Sequence, residues 1–389
     1  MKNKKVLAVT GIRSEYDILY PVLKELRENN FDVKIVVSSA HLSDHFGSTI
    51  DRIIEDGFEI ADRIDTLFIT SRLTQRAKGT GLLIYGLTQT VEREEPDFLL
   101  VVGDREESIA TAIVGNYMDK LVIHIGGGDS VFGNADDPIR FATSKLAHIH
   151  CCFSQEYANN LINISEESFR VFYTGNPAYV NIDKTKKISL IEISKLINID
   201  LTNGSYLLVI KHPLSSEVYN AYNQMKITLE AVEEFCEKYK YQAIVIPPNS
   251  DPGSEEMRLA ITEYSNSQYI HSIETLPRTE FINIVRHCKA LVGNSSMGVL
   301  EAPFYHLPVV NIGNRQKGRL NAGNVEFINY DKVEIISSLK MACLDEKYRS
   351  KVKSIVNPFG GKHSAENVRK AIESINLDDK KWRIKTKLC

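Results

Sequence analysis

The sequence predicts an α/β protein with two doubly wound domains. Short apolar runs, typical of strands buried on both faces, alternate with amphipathic stretches of helical period in both halves of the chain. This alternation stops in a polar, lysine-rich segment at 182–204 and then restarts. The length of 389 residues suits two domains. Strands that alternate with helices imply parallel sheets with right-handed crossovers, so each domain is expected to be Rossmann-like.

The first half of the chain is expected to form an N-terminal domain, residues 1–181. Its apolar runs predict strands at Val6–Thr10, Val33–Ser38, Phe98–Val102, Leu121–Ile125 and His148–Phe153. Amphipathic stretches at Ile18–Glu28 and Ala77–Glu95 predict helices between these strands.

After a linker at 182–204, residues 205–356 are expected to form the second domain. Its predicted strands are Tyr206–Ile210, Ala243–Pro247, Ala290–Gly293 and Val309–Ile312. Its predicted helices are Tyr219–Tyr239, Glu255–Tyr264, Arg278–His287 and Met297–Tyr305. A break at Asn-Pro-Phe-Gly-Gly, 357–361, introduces a C-terminal segment, 357–389, with a last helix at Ala365–Ser374.

The composition excludes several classes of partner. The net charge is −3 and the pI is about 6.4, so no overall field attracts nucleic acid or an anionic membrane. No apolar run approaches the roughly 20 residues of a membrane span. The six cysteines are scattered, with no Cys-x-x-Cys pair, which indicates reduced thiols in the cytoplasm and no structural zinc.

Polar residues follow the predicted strands, where doubly wound sheets bind their ligands. In the segment 292–303, VGNSSMGVLEAP, a strand ends in small residues that open a helix. Ser295 and Ser296 at that helix start suit an anion, and the Glu301 carboxylate suits ribose hydroxyls. The spacing is equally compatible with a simple cap by Asn294 or Ser295 and a solvated Glu301.

Three further strand ends of the second half carry polar side chains. His212 stands at the tip of the first strand, Asn249 and Asp251 lie in the loop PPNSDPGS after the second, and Arg315 follows the fourth. Each residue alone is compatible with ordinary loop chemistry. Four successive strands with such ends favour a ligand site.

In the first half, Gly11 permits a tight turn before Arg13, whose planar fork suits a diphosphate. Taken singly, Arg13 is equally compatible with a surface arginine beside a turn. Asp104 and Arg105 follow the third strand, where Asp104 is compatible with a helix cap or with a catalytic base.

The segment 124–150 is the densest in functional groups. Three glycines, 126–128, follow a strand, and the side chains that come next are Asp129, Asp136, Asp137, Arg140, His148 and His150. Carboxylates and a histidine in one cleft suit proton transfer at carbon. Metal binding by the His-x-His pair and nearby aspartates is the competing interpretation.

Taken together, these motifs resemble those of the hydrolysing UDP-N-acetylglucosamine 2-epimerases of sialic and legionaminic acid biosynthesis. The resemblance runs nearly end to end, through GIRSEY, VVGDREE, HIGGGD, DDPIRFATSKLAHIH, TGNPA, KHP, PPNSDPGS, VGNSSMGVLEAP, NIGNRQKGR and NPFGGKHSAE. It implies a glycosyltransferase-B-like architecture with the active site in the interdomain cleft and the last helix crossing back to the first domain. UDP would lie mainly on the second domain.

The resemblance also implies roles for individual residues. On the UDP side, Ser295 and Ser296 would bind diphosphate and Glu301 the ribose, with further nucleotide contacts from His212, Asn249, Asp251 and Arg315. Arg13 and Arg105 would reach the substrate from the first domain. The catalytic candidates are Asp104, Asp129, Asp136, Arg140 and His212.

One position departs from the family pattern. Many members carry Glu or His where this chain has Gly126, and Glu where it has Asp129. The missing carboxylate leaves Asp104, Asp129 and Asp136 as candidates for exchanging the C2 proton. A glycine at 126 is also expected to enlarge the cleft for a sugar modified at C4 and C6.

The resemblance therefore implies conversion of UDP-2,4-diacetamido-2,4,6-trideoxy-glucose or UDP-N-acetylglucosamine to UDP and the free 2-epimeric sugar. This reaction needs no cofactor, and we expect no metal, no nucleic-acid partner and a homo-oligomer, either dimer or tetramer. A non-hydrolysing epimerase, a glycosyltransferase of the same fold and a non-enzymatic UDP-sugar sensor are the alternatives.

Overall fold

The computed structural model describes residues 3–68, 74–131, 136–248, 250–274 and 276–387. The chain contains two wholly parallel β-sheets, one of seven strands and one of six, with helices alternating along the chain. This confirms the predicted class of two doubly wound, Rossmann-like α/β domains. Two compact units result, the first from residues 3–130, 136–183 and 359–387 and the second from residues 184–358.

The first unit contains the seven-stranded sheet. Its strands are β1 (Lys5–Thr10), β2 (Asp32–Ser38), β3 (Glu59–Ile64), β4 (Phe98–Val102), β5 (Leu121–Ile125), β6 (Ile149–Cys152) and β7 (Val171–Tyr173). Its helices are α1 (Arg13–Glu28), α2 (Ile50–Glu55), α3 (Thr74–Glu94), α4 (Glu106–Tyr117), α5 (Asp136–Leu146), α6 (Gln155–Asn163) and α7 (Ala178–Lys184). The spatial order is β3-β2-β1-β4-β5-β6-β7, so the winding direction reverses between β1 and β4.

The second unit repeats this plan with six strands. These are β8 (Tyr206–Ile210), β9 (Gln242–Ile246), β10 (Ile270–Ser272), β11 (Ala290–Gly293), β12 (Val309–Ile312) and β13 (Val325–Ile328). Its helices are α8 (Leu190–Ile197), α9 (Ala221–Tyr239), α10 (Ser254–Thr262), α11 (Arg278–His287), α12 (Met297–Leu300), α13 (Lys332–Leu344) and α14 (Glu346–Lys353). The order β10-β9-β8-β11-β12-β13 reverses between β8 and β11.

The C-terminal segment belongs to the first unit. Its helix α15 (Ser364–Glu373) packs against α1, where the Arg369 guanidinium lies 2.9 Å from the Glu25 carboxylate. Short 3-10 helices complete the fold at Ser39–Leu42, Asp44–Phe46, Ser168–Arg170, Ser215–Asn220, Ala302–Tyr305 and Lys380–Trp382.

Four strands that the apolar runs did not predict are the edges of the two sheets. These are β3, β7, β10 and β13. Central strands such as β4 and β8 are buried at every residue, whereas the edge strand β3 is partly exposed along its whole length. An edge strand has a neighbour on one side only, so it tolerates polar residues and lacks the continuous apolar run.

The segment 182–204 is not an extended linker in the structure. It contains α8, which begins with a capping box between Ser189 and Glu192. Ile193 and Leu201 are fully buried in the core of the second unit, so most of this segment is a folded part of that unit.

The cysteines and the apolar character of the helices complete the description of the fold. The five cysteines among the described residues are buried and carry free thiols. No helix in the described ranges is long and apolar enough to cross a membrane.

Candidate active site

The predicted site residues lie after the carboxyl ends of the strands in both units. In the first unit they follow β1, β4 and β5, and in the second they follow β8, β9, β11 and β12. The neighbouring pairs β1/β4 and β8/β11 mark the reversal points, where ligands of doubly wound sheets bind.

Arg140 on α5 organises the site of the first unit. Its Nη1 donates a hydrogen bond to the Gly126 carbonyl at 2.9 Å and lies 3.7 Å from Oδ2 of Asp129. Its Nη2 donates to the Asp104 carboxylate. Arg140 and Asp129 are buried, whereas the Asp104 side chain is 22% exposed. The guanidinium therefore joins the loops after β4 and β5, and Asp104 is the carboxylate of this cluster that solvent reaches.

Asp104 does not cap the following helix. The cap residue of α4 is Arg105, and no side chain accepts a hydrogen bond there. The ion pair with Arg140 instead determines where the Asp104 carboxylate points. The interpretation of Asp104 as a simple helix cap is therefore wrong.

His124 in β5 helps to fix the loop after β4, which carries Asp104. Its Nε2 lies 2.7 Å from the Gly103 carbonyl, which can only accept, so this nitrogen carries the proton. Its Nδ1 then accepts from the Ser144 hydroxyl at 3.1 Å. Burial lowers the pKa of His124 to about 3, which keeps the ring neutral. The sequence does not single out His124, because its partners lie 20 and 21 residues away along the chain.

Arg13 and Arg105 follow neighbouring strands, β1 and β4. Arg13 is the first residue of α1, and its Nε lies 3.5 Å from Oδ2 of Asp17. The Nε of Arg105 lies 3.7 Å from Oε2 of Glu106. Each guanidinium thus lies within ion-pair distance of a carboxylate in the first turns of the following helix.

His148 and His150 make structural contacts inside the first unit. Nδ1 of His148 accepts from the Val122 N–H at 3.1 Å, and burial lowers its pKa to about 4. Nε2 of His150 lies 3.0 Å from Glu166, which also binds Lys385 of the C-terminal segment at 2.7 Å. Across the described ranges, no three His, Cys, Asp or Glu side chains are grouped to hold a metal ion.

Gly126 has a backbone reason to be glycine. Its φ is +80°, a conformation that side-chain-bearing residues rarely adopt. A Cβ there would meet the Phe153 ring at 3.0 Å. A side chain at 126 would therefore point at Phe153. This geometry does not support the expectation that the glycine widens the cleft.

In the second unit, the side-chain amide of Asn294 clamps the loop after β8. Its Oδ1 accepts from the His212 N–H at 2.7 Å, and its Nδ2 donates to the His212 carbonyl at 2.8 Å. Asn294 is only 1% exposed. Asn294 is therefore not a helix cap but the residue that positions His212. The other possible cap, Ser295, accepts a hydrogen bond from the Met297 N–H at 3.4 Å.

The loop after β12 contacts the same clamp. Nη1 of Arg315 and Nε2 of Gln316 donate to the Asn294 carbonyl at 3.2 and 3.0 Å. The structure thus brings His212 and Arg315 together with the VGNSS motif. Gln316 belongs to this arrangement too, although the sequence drew attention only to its charged neighbour.

Ser295 and Ser296 lie between β11 and α12. The predicted helix is shorter than expected, because α12 ends at Leu300 and a 3-10 helix containing Pro303 follows. Glu301 stands at the junction of the two. Within the described part of the chain, the backbone N–H groups of Ser295 and Ser296 make no hydrogen bond, so they can meet an anion.

Two predicted residues fall wholly or partly outside the description. Asn249 lies outside the described residues, and Asp136 begins α5 with its side chain outside them. Asp251 precedes α10, where its carbonyl accepts from the Ser254 N–H at 3.1 Å and from the Ser254 hydroxyl at 2.6 Å.

Lys211 is a buried cation that the sequence did not indicate as part of the site. It is fully buried, and its ammonium lies 4.5 Å from the centre of the Tyr330 ring. No hydrogen-bond partner lies within reach of Nζ among the described residues. Burial lowers the pKa of Lys211 to about 7. A lysine at the end of the apolar run YLLVIK was the available signal.

Comparisons with known proteins identify the family to which the sequence is similar. The sequence profile of the UDP-N-acetylglucosamine 2-epimerase family matches residues 24–373. The UDP-N,N'-diacetylbacillosamine 2-epimerase (hydrolyzing) of Legionella pneumophila is 30% identical, over 96% of this chain and 97% of that protein. The GDP/UDP-N,N'-diacetylbacillosamine 2-epimerase (hydrolyzing) of Campylobacter jejuni is 29% identical over 84% of each chain.

The fold has solved relatives as well. The crystal structure of UDP-GlcNAc 2-epimerase from Neisseria meningitidis bound to UDP-GlcNAc superposes with a TM-score of 0.81. It covers 95% of this chain and 100% of that chain at 22% identity. At this identity the similarity is one of fold alone, the glycosyltransferase-B-like fold.

Proposed function

The chain belongs to the UDP-N-acetylglucosamine 2-epimerase family, and we propose on this basis that it is a hydrolysing UDP-sugar 2-epimerase. The observation that carries the proposal is the Asp104–Arg140–Asp129 cluster beside the ends of β4 and β5, in a chain related to hydrolysing epimerases. Such a cluster supplies a solvent-accessible carboxylate next to a fixed positive charge.

The proposed reaction has two steps. A base removes the C2 proton while the C1–O bond breaks and its electron pair leaves with UDP, which gives a glycal. Water then adds its hydroxyl at C1 as a proton returns to the opposite face of C2. The products are UDP and the free 2-epimeric sugar, and no electron acceptor is needed.

We assign the base that removes the C2 proton to Asp104. Its carboxylate is partly exposed, and the Arg140 guanidinium holds it in place. Asp129 is wholly buried, so we assign it to holding Arg140. Asp136, at the first residue of α5, is the candidate for returning a proton to the other face.

We assign UDP to the second unit. The N–H groups and hydroxyls of Ser295 and Ser296 would bind the diphosphate, together with Arg315 and His212, and Glu301 would bind the ribose. Asn249 and Asp251 would contribute further nucleotide contacts. These donors stabilise the charge that develops on departing UDP, and His212 can also transfer a proton to it. Arg13 and Arg105 would contact the substrate from the first unit.

We propose UDP-2,4-diacetamido-2,4,6-trideoxy-glucose as the first substrate to test and UDP-N-acetylglucosamine as the second. The names of the Legionella and Campylobacter relatives support this order, since diacetylbacillosamine is that 2,4-diacetamido sugar. The product would then be a 2,4-diacetamido-manno sugar, a precursor suited to a nine-carbon sialic-acid-like sugar.

The experiment is NMR of the purified protein with each UDP-sugar in D2O. We expect free UDP and a reducing sugar of manno configuration that carries deuterium at C2. A UDP-linked epimer would identify a non-hydrolysing enzyme. Release of UDP with the C2 proton retained would identify a transferase or a simple hydrolase and contradict the proposal.

Two variants test the assignment of the base. Asp104→Asn should lower kcat about 1,000-fold, because an amide cannot accept the C2 proton, while it keeps the shape of the side chain. The matched control is Asp119→Asn, because Asp119 is an exposed aspartate of the same unit. Equal rates for the two variants would remove Asp104 from the chemistry.

A further inference from the structure

We propose that Glu15 and Glu107 are positioning residues that fill the anion pocket at the turn between β1 and α1 with the protein's own carboxyl groups. The pair then fixes the turn that carries Arg13 against the turn that carries Asp104 and Arg105. This inference rests on the proposed function for its kinetic consequences, but the pair can be detected without any turnover.

The location of the two carboxyls is the first argument. In doubly wound sheets, the turn after the first strand is where backbone N–H groups and a helix start meet a bound phosphate. Here the Gly11 N–H donates to Oε2 of Glu15 at 2.9 Å. A Cβ on Gly11 would lie only 1.8 Å from Oε1 of Glu107. The Glu107 carboxyl thus packs on the bare Cα of Gly11, where a phosphate would otherwise approach.

The second argument is the incomplete set of partners. Oε1 of Glu107 accepts from the Ser38 hydroxyl at the end of β2, at 3.1 Å. Glu15 is 6% exposed and Glu107 2%. One oxygen of each, Oε1 of Glu15 and Oε2 of Glu107, has no hydrogen-bond partner among the described residues. Buried carboxylate oxygens are normally satisfied, so each of these two oxygens can carry the proton that the pair retains.

Charge is the third argument. Burial and repulsion by Glu107 raise the pKa of Glu15 well above its ordinary value, and burial also raises the pKa of Glu107. Two buried carboxylates that repel each other do not both ionise readily, so we expect the pair to keep one proton and one negative charge at neutral pH.

The charged and titratable groups around the Glu15–Glu107 pair are consistent with a single negative charge on the pair. From the start of α4 they are Arg105 and Glu106. From the end of β2 it is the Ser38 hydroxyl, which also donates to the Thr10 carbonyl at 3.4 Å. His41 lies nearby, 3.1 Å from the Thr10 hydroxyl. Burial lowers the pKa of His41 to about 4, so the histidine is neutral. Arg105 is therefore the cation that offsets the pair.

The pair joins three segments, the turn after β1, the end of β2 and the start of α4. It thereby fixes the spacing of Arg13 and Arg105, which follow neighbouring strands. It also leaves no room at Gly11 for a phosphate from outside. This explains why the first Rossmann-like unit would leave the diphosphate to the second.

The first test detects the proton directly. Infrared difference spectra at pH 7 should show a protonated carboxyl in the native protein that is lost in both Glu15→Gln and Glu107→Gln. With one amide in place, the remaining carboxylate no longer shares a proton. A native protein without that band would overturn the pair. Because no substrate is involved, this result stands whether or not UDP is released.

The second test measures the positioning. Glu107→Ala should lower kcat/KM for UDP release about 100-fold, since a shift of roughly an ångström in a positioning element has effects of this size. Glu107→Gln keeps the contact with Gly11, so its kcat/KM should fall only about ten-fold. Sodium formate should raise kcat/KM of Glu107→Ala at least about ten-fold, because formate can occupy the space of the missing carboxyl group. A folded Glu107→Ala protein with native kinetics, or without rescue, would overturn the role.

Gly11→Ala tests the contact from the other side. The added methyl displaces the Glu107 carboxyl, so we expect a loss of about 100-fold in kcat/KM. Gly81→Ala on α3 is the matched control, because a Cβ there meets nothing within 4 Å. Native kinetics in Gly11→Ala would refute the close packing that the proposal requires.

The pH profile separates positioning from ordinary packing. As pH rises, the pair loses its proton, and repulsion between two carboxylates should drive Glu107 away from Gly11. We expect an alkaline fall in kcat/KM in the native enzyme that is absent in Glu107→Gln. An alkaline limb of equal position in both proteins would show that the pair does not control the site.

Discussion

The two units share one strand order but bury opposite kinds of ionisable group at their reversal points. At β1/β4 the buried groups are the carboxyls of Glu15 and Glu107. At β8/β11 the buried charged group is Lys211, and the loops are joined by the neutral amide of Asn294. The first arrangement places negative charge where a nucleotide phosphate would bind, whereas the second leaves hydrogen-bond donors there.

This difference suits the two halves of the proposed reaction. Proton transfer at C2 needs carboxylates held by a cation, which Arg140 provides in the first unit. Departure of UDP needs donors that no internal carboxylate competes for, and the amide clamp of Asn294 leaves them available. The comparison predicts that the charged cluster is sensitive to losing a partner and the neutral clamp to gaining a charge.

The largest effect is expected from Arg140→Leu in the first unit. It leaves the buried Asp129 and the Asp104 carboxylate without their guanidinium, so the free energy of unfolding should fall by about 3–5 kcal/mol. UDP release should fall with it. Urea unfolding measures the first quantity.

Arg93→Leu is the control for Arg140, because this exposed arginine also pairs with an aspartate, at 3.2 Å from Asp62. Its loss should change the free energy of unfolding by less than about 1 kcal/mol. If the two variants lose equal stability, the charged cluster is no more important than a surface ion pair.

A smaller effect is expected from Asn294→Asp in the second unit. The carboxylate keeps an acceptor for the His212 N–H but loses the donor to the His212 carbonyl, so stability should fall by about 1–3 kcal/mol. The added negative charge should also raise KM for the UDP-sugar.

Asn203→Asp is the control for this change, because the Asn203 side chain accepts a backbone hydrogen bond in an exposed turn. It should leave both stability and KM nearly unchanged. An unaltered KM in Asn294→Asp would contradict a diphosphate site beside this clamp. Substrate titrations of UDP release measure it.

The smallest effect is a pH dependence that belongs to Lys211. Its pKa in the folded state, about 7, is below the ordinary 10.5. The folded protein therefore binds fewer protons than the unfolded chain between these pH values, so stability should increase with pH across that window. The slope contributed is at most about 1.4 kcal/mol per pH unit.

Lys211→Met should remove this slope in urea unfolding from pH 7 to 10, whereas Lys347→Met, at an exposed lysine, should retain it. A slope that persists in Lys211→Met would show that the buried cation of the second unit is not what distinguishes the two reversal points.

The interior of both sheets could be predicted from the sequence, but the edges could not. Phe98–Val102 and Tyr206–Ile210 are strands with the predicted bounds, because burial on both faces demands a continuous apolar run. Glu59–Ile64 contains Glu59, Asp62 and Arg63 and forms an edge strand by pairing with β2. Such a strand depends on its neighbour more than on its own residues.

The sequence by itself determined the class of fold, the central strands and the presence of polar residues at their carboxyl ends, since these follow from local periodicity and turn chemistry. Only the tertiary structure decided which groups meet. Arg140 binds Asp104 across 36 residues, and Asn294 clamps His212 across 82. Glu15 and Glu107 become a pair only when β1 and β4 become neighbours. Elements that are distant in the chain bury each ionisable group and supply its partners. Burial and partners in turn set the charge of the group.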